Sequence, residues 1–161
     1  MSQEERYGRR DLTYSAWHRR LSTRRFVGIE KAQLLAMIDL DMSLWVEYDD
    51  RTKEPLALIE TAKDIGQRFK SSTVTTNLAR RVQPQLPAYV VLYKLADCRN
   101  PANRDWLDIA QFRVKRLWPN PEPLWRTMTP HEWADLLVRL RDDSAAFVDM
   151  LIDHRGQTGL F

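Results

Sequence analysis

Cysteine is almost missing from this chain: Cys98 is the single one in 161 residues. An internal disulfide is excluded, and a cysteine-based zinc site is not expected. Glycine is scarce, at five residues, and none are spaced as GxGxxG or as a GxxxxGK phosphate loop. Nucleotide-cofactor enzymes that cradle phosphates on such loops are therefore not expected. The three histidines, His18, His131 and His154, are scattered, and with one cysteine they give no Ser/His/Asp or Cys/His triad. No apolar stretch reaches membrane-spanning length. The Arg-rich start is not followed by the apolar run of a secretory signal. These absences together predict a cytoplasmic protein with no membrane partner.

What is present is unevenly charged. Residues 1–31 hold eight Arg or Lys against four Asp or Glu, a net +4 that leaves the other 130 residues at −1. The basic excess thus sits in the first fifth of a chain whose length suits a single domain. Residues 1–11 are expected to form a flexible basic arm. Arg9, Arg10, Arg19, Arg20, Arg24 and Arg25 are the candidate contacts to a nucleic acid, since a basic segment meets polyanions. A solubilising tail would carry the same charge.

The stretch Ala36–Lys63 predicts a β-hairpin. Ile38, Leu40, Met42, Leu44, Val46 and Tyr48 alternate with Met37, Asp39, Asp41, Ser43, Trp45, Glu47 and Asp49, the period of a half-buried strand. Asp49–Glu54 reads as a charged turn, and Leu56–Thr61 as a second strand that is apolar until Glu60. Pairing of the two would bring Asp39, Asp41 and Glu60 near one another. Clustered carboxylates raise one another's pKa unless a cation neutralises them. The group is therefore either a metal site or a solvated strand face.

Elsewhere the pattern is mostly clear. Leu12–Leu21 suggests a short helix, Ser22–Gly28 a break, and Glu30–Ala36 either a helical turn or more strand. Ile65 and Phe69, four apart, suggest a helical turn over Ala62–Lys70, weakened by Gly66. Val74, Leu78 and Val82 predict a helix over Thr73–Val82, closed by Pro84 and Pro87. Ala88–Leu95 reads as a central strand buried on both faces. Cys98–Arg104 reads as a loop, Ile109–Trp118 as an edge strand, and Pro119–Met128 as a Pro-rich connection. Thr129, Pro130 and Glu132 form a capping-box signature for a long last helix, with a break expected at Asp142–Ser144 and a stop at Gly156. The expected class is α/β: a mixed four- to five-stranded sheet flanked by helices, ending in a long C-terminal helix.

A helix, an Asp-bearing strand, a strand ending in Glu, a helix and a central strand resemble the core of the PD-(D/E)XK nucleases over about residues 30–95. The resemblance implies Mg²⁺ held by Asp41 and Glu60, with Asp39 assisting, and a lysine that activates water. The family places that lysine two positions after the Glu, where this chain has Ala62. Lys63 could take the role only if the strand ended or bulged at Thr61. Lys70, or Gln67, is the alternative. His18, in the stretch YSAWHRR, is a candidate base or phosphate contact, or else a packed histidine beside Trp17. The WHR, IDLD and LIE stretches are also similar to small phage-encoded proteins of uncharacterised activity.

Two functions follow. One is a Mg²⁺-dependent phosphodiester hydrolase, or a nucleic-acid-binding protein with a nuclease-like core. The other is a catalytically inactive module that binds a protein partner, such as a phage-encoded inhibitor or regulator. Trp106, Trp118 and Trp125, near Arg104, Arg116 and Arg126, suit base stacking, a protein interface or plain packing.

Overall fold

The computed structural model describes residues 13, 17, 20–35, 40–82 and 86–158, with the backbone alone at 154–158. Asp39, His18, Arg9, Arg10 and Arg19 lie outside the described residues, as does most of the helix expected over Leu12–Leu21; Thr13 and Trp17 are helical. The chain divides into two compact units, residues 1–39 and 40–161.

In the first unit, α1 (Arg24–Val27) falls inside the expected break, and α2 (Ile29–Leu34) follows. Gly28 joins them at φ +82°, a left-handed conformation that suits a residue without a Cβ.

The second unit is built on one sheet. Its elements are β1 (Met42–Glu47), β2 (Lys53–Lys63), α3 (Thr73–Arg81), β3 (Ala88–Asn100), β4 (Asn103–Trp118), β5 (Arg126–Met128) and α4 (Pro130–Thr158). The strands lie in the order β1-β2-β3-β4-β5. All pairs are antiparallel except β2 with β3, which are parallel. A parallel pair needs a crossover, and α3 supplies it. The α/β class, the mixed sheet and the C-terminal helix are as the sequence predicts.

The sheet is covered on both faces. Ala57, Ile59, Tyr89, Val91, Val114 and Met128 pack with Trp133 and Leu140 of α4. Leu58 and Ala88, on the other face, pack with Ala79 of α3 and with Leu86. Alternation from Ala57 to Glu60 thus sends odd positions to α4 and even ones to α3. Leu56, Val90, Val91, Leu92 and Val114 are the largest fully buried side chains, each worth about 1.5–3 kcal/mol on burial. The α4 cap forms reciprocally: Thr129 N donates to Glu132 Oε2 (2.7 Å), and Glu132 N donates to Thr129 Oγ1 (3.2 Å). The bond from Thr129 N–H favours the Glu132 carboxylate and lowers its pKa.

Several local expectations differ. The helical turn over Ala62–Lys70 is replaced by β2 running on to Lys63 and by irregular backbone after it. Each residue from Leu58 to Lys63 has a register partner on β3, whereas Ile65 and Phe69 are 80% and 76% exposed. The sheet offers pairing, and the helix would have had nothing to pack against. The loop at Cys98–Arg104 shrinks to a turn at Pro101–Ala102, as β3 and β4 extend to Asn100 and Asn103. Asn100 Oδ1 accepts from Ala102 N (2.9 Å), the local bonding that lets Asn initiate turns. The strand expected as an edge at Ile109–Trp118 is not one, because Arg126–Met128, inside the expected Pro-rich connection, pairs with it at Phe112–Val114. Finally, α4 passes through Asp142–Ser144 without a break and runs past Gly156 to Thr158.

Candidate acidic centre

Two of the expected carboxylates come level on neighbouring strands. Met42 pairs with Ile59 at the end of the β1–β2 ladder, so Asp41, one residue earlier, falls opposite Glu60. Asp41 Oδ2 extends the ladder by accepting from Thr61 N (2.7 Å) and Thr61 Oγ1 (3.2 Å).

Glu60 is buried, at 5% exposure, on the α3 face of the sheet. Its oxygens are both engaged. Oε1 meets Lys70 Nζ at 2.9 Å, and Oε2 accepts from Thr75 Oγ1 at 2.9 Å. Thr75 is itself buried, on α3. A buried carboxylate must be paired and hydrogen-bonded to remain there, and these two groups do that.

Lys63 does not join them. The β2–β3 register continues without a shift through Thr61 to Lys63↔Tyr93. The bulge that Lys63 would need is absent, and alternation places it on the face opposite Glu60, where it is exposed. Gln67 is held within its own loop: Oε1 accepts from Ile65 N (2.8 Å), and Nε2 donates to Lys63 O (2.9 Å). Lys70 is the lysine that reaches the acidic centre.

Residues 64–72 deliver Lys70, and they are clamped at several points. Arg113 on β4 grips Asp64 with two bonds of 2.7 and 2.6 Å and donates a third to Gln67 O (3.0 Å). Trp125 Nε1 donates to Arg68 O (3.0 Å). Arg113 and Lys115 lie over the Trp125 ring, at 5.3 and 5.4 Å from its centroid. Gly66 turns the backbone at φ +82°, and its N–H donates to Asp64 Oδ1 (2.9 Å). The guanidinium bonds hold Asp64 down to a pKa of about 2, and burial opposes them only in part. Asp64 in turn raises the pKa of Arg113.

Sequence reasoning misses Asp64 and Arg113, which lie 49 residues apart. Only the Trp–Arg pattern around Trp125 hinted at the cluster, and the basic partners prove to be Arg113 and Lys115 rather than a chain neighbour. Trp118 likewise meets Arg80, 5.3 Å from its ring centroid.

Mg²⁺ prefers hard oxygen ligands and keeps several waters. Asp41 offers one: its Oδ1 has no partner among the described residues. Glu60 is already partnered: Lys70 Nζ is at one carboxylate oxygen and Thr75 Oγ1 at the other. Among the described residues no three His, Cys, Asp or Glu side chains gather as a metal site.

Of the expected nucleic-acid contacts, Arg20, Arg24 and Arg25 are described and exposed. Arg24 and Arg25 lie on α1, with the Arg25 guanidinium 5.3 Å from the centre of the Phe26 ring. No helix among the described residues is long and apolar enough to cross a membrane. No family model matches the chain, and neither does any curated protein or solved structure.

Proposed function

We propose that this chain is a nucleic-acid-binding protein on a nuclease-like sheet, whose acidic centre serves structure rather than phosphodiester hydrolysis. The observation that carries this is the Lys70–Glu60 contact of 2.9 Å, a cation of the chain's own at the place where the resemblance expects Mg²⁺. Binding is assigned to the basic first unit. Arg20, Arg24 and Arg25 are exposed there, and Phe26, 73% exposed beside Arg25, adds a ring for base stacking.

Fluorescence anisotropy with labelled single-stranded DNA, duplex DNA and RNA tests this across a salt series. Affinity should fall steeply with salt, and Arg24→Ala with Arg25→Ala should lower the log–log slope by about 0.9 for each phosphate that is no longer neutralised. A flat salt dependence, or unchanged binding by the double variant, would remove the proposal.

A second function, a module that binds a protein partner, is favoured by exposed apolar side chains on the neighbouring α2. Leu34 is 82% exposed and Ile29 47%. A stable complex in pull-down, insensitive to both salt and Asp41→Ala, would support it over the first.

A further inference from the structure

The pairing of β3 with β4 continues where the neighbouring strands stop. The last partner of β3 on β2 is at Tyr93, opposite Lys63. The first partner of β4 on β5 is at Phe112, opposite Met128. Residues 94–111 therefore form a two-stranded ribbon, held by pairs such as Leu95↔Ile109 and Arg99↔Leu107 and closed by the turn at Pro101–Ala102. At about 3.3 Å per residue, strand residues 94–100 give it a reach of about 20 Å.

The far end of the ribbon buries little. Every residue from Asp97 to Leu107 is exposed except Asn100 and Asn103. Trp106 is 69% exposed. Trp118 and Trp125 have cations over their rings, whereas among the described residues none lies over Trp106. Two arginines belong to the same end. Arg99 Nη1 donates to Asp105 O (3.2 Å), and the Arg104 side chain has no hydrogen-bond or ion-pair partner among the described residues. Residues 99–106 hold these two cations against one acid, Asp105.

We propose that this ribbon enters the major groove of duplex DNA, with Arg104 and Trp106 as its contacts to the bases. The proposal rests on the nucleic-acid reading above and adds which strands of the second unit take part and in which groove. Three features favour DNA over another protein chain. The B-form major groove, about 12 Å wide, admits a two-stranded ribbon, whereas the A-form RNA groove is too deep and narrow for side chains to read. Strand addition by a protein needs a regular edge, and β3 along the ribbon is interrupted by register shifts at Lys94/Leu95, Leu95/Arg99 and Arg99/Asn100, which blunt an edge. Recognition thus falls to side chains, and an unpaired guanidinium beside a bare apolar ring suits a guanine edge and a thymine methyl. The ribbon as a whole is neutral, with Lys94, Arg99 and Arg104 against Asp97, Asp105 and Asp108. Contact is therefore confined to its tip, and the basic first unit supplies the attraction that does not depend on sequence.

Fluorescence anisotropy with a labelled mixed-sequence duplex, and with one of its single strands, tests this in wild type and in the double variant Arg104→Gln with Trp106→Ala. Both positions are exposed, so the melting temperature should not change. The double variant should bind the duplex at least tenfold more weakly and the single strand as wild type does. In dimethyl sulfate footprinting, wild type should protect guanine N7, which lies in the major groove, and the double variant should not. Unchanged duplex affinity in the double variant would overturn the ribbon's role and leave binding by the first unit standing. So would a duplex bound by wild type with guanine N7 unprotected. Failure to bind any nucleic acid would remove both. A dimer in sedimentation that Trp106→Ala abolishes would assign the ribbon to a second copy of the chain instead.

Discussion

Lys70 and Glu60 meet at 2.9 Å although one belongs to irregular backbone and the other to the buried part of β2. The two partners are not equivalent. The Glu60 side chain is 6% exposed and Lys70 30%, so a freed Lys70 can turn to water and a freed Glu60 cannot. Lys70→Met should therefore cost about 3 kcal/mol, as a buried charge loses its partner. Glu60→Gln, which keeps a hydrogen bond to Thr75, should cost less. The double variant should recover part of the loss, giving a coupling of about 1–3 kcal/mol in urea unfolding. Strictly additive penalties would show that the pair is not an energetic unit.

The same pairing decides what divalent ions do. Millimolar Mg²⁺ or Mn²⁺ should leave the melting temperature of the wild-type chain unchanged, since a ligand that does not bind the native state cannot stabilise it. Plasmid, linear DNA and RNA should remain intact with either ion. Metal-dependent cleavage that Glu60→Ala abolishes without unfolding the chain would instead establish the hydrolase expected from the resemblance.

The fold was legible where hydrophobic period and pairing agree. The buried run at Ala88–Leu92 and the Thr129–Glu132 box are as the pattern reads. The helix over Thr73–Arg81 forms too, but its buried residues are Thr75 and Ala79, and Val74, which carried the expected repeat, is 49% exposed. Residues 64–72 were not legible, because their conformation depends on Arg113 and Trp125, far along the chain. The acidic centre was half legible. Strand pairing brought Asp41 level with Glu60, as alternation suggests. The lysine could not be placed from spacing, because β3 holds β2 straight through Thr61 and leaves Lys63 on the other face. Burial of Glu60 could not be read either: α3 covers it, and a strand ending in Glu looks the same whether its end is open or capped.

Acid should reveal the second ion pair. Asp64 has a folded pKa of about 2, below the ordinary aspartate value of 3.8. A carboxylate with a depressed folded pKa stabilises the fold above its unfolded value, and that contribution is lost as pH falls through the folded one. The pair's contribution should be complete above pH 4 and fade between about pH 4 and pH 2. Asp64→Asn should cost about 2 kcal/mol at pH 7, from the loss of charged hydrogen bonds, and little at pH 2. Parallel stability curves for the two proteins across that window would contradict the pairing.

Trp125 tests whether the clamp acts locally. Its Nε1–H holds Arg68 O at 3.0 Å, and its ring underlies Arg113 and Lys115. Trp125→Phe keeps an aromatic ring and removes the bond. A single hydrogen bond is worth about 1 kcal/mol net, so amide exchange at residues 64–72 should rise roughly fivefold. The sheet core at Val90–Leu92, buried between two helix layers, opens only with the whole fold; that opening breaks the bond too, so its exchange should rise by no more than the same factor. Unchanged exchange at residues 64–72 would mean that this segment, and Lys70 with it, is held in place by other contacts.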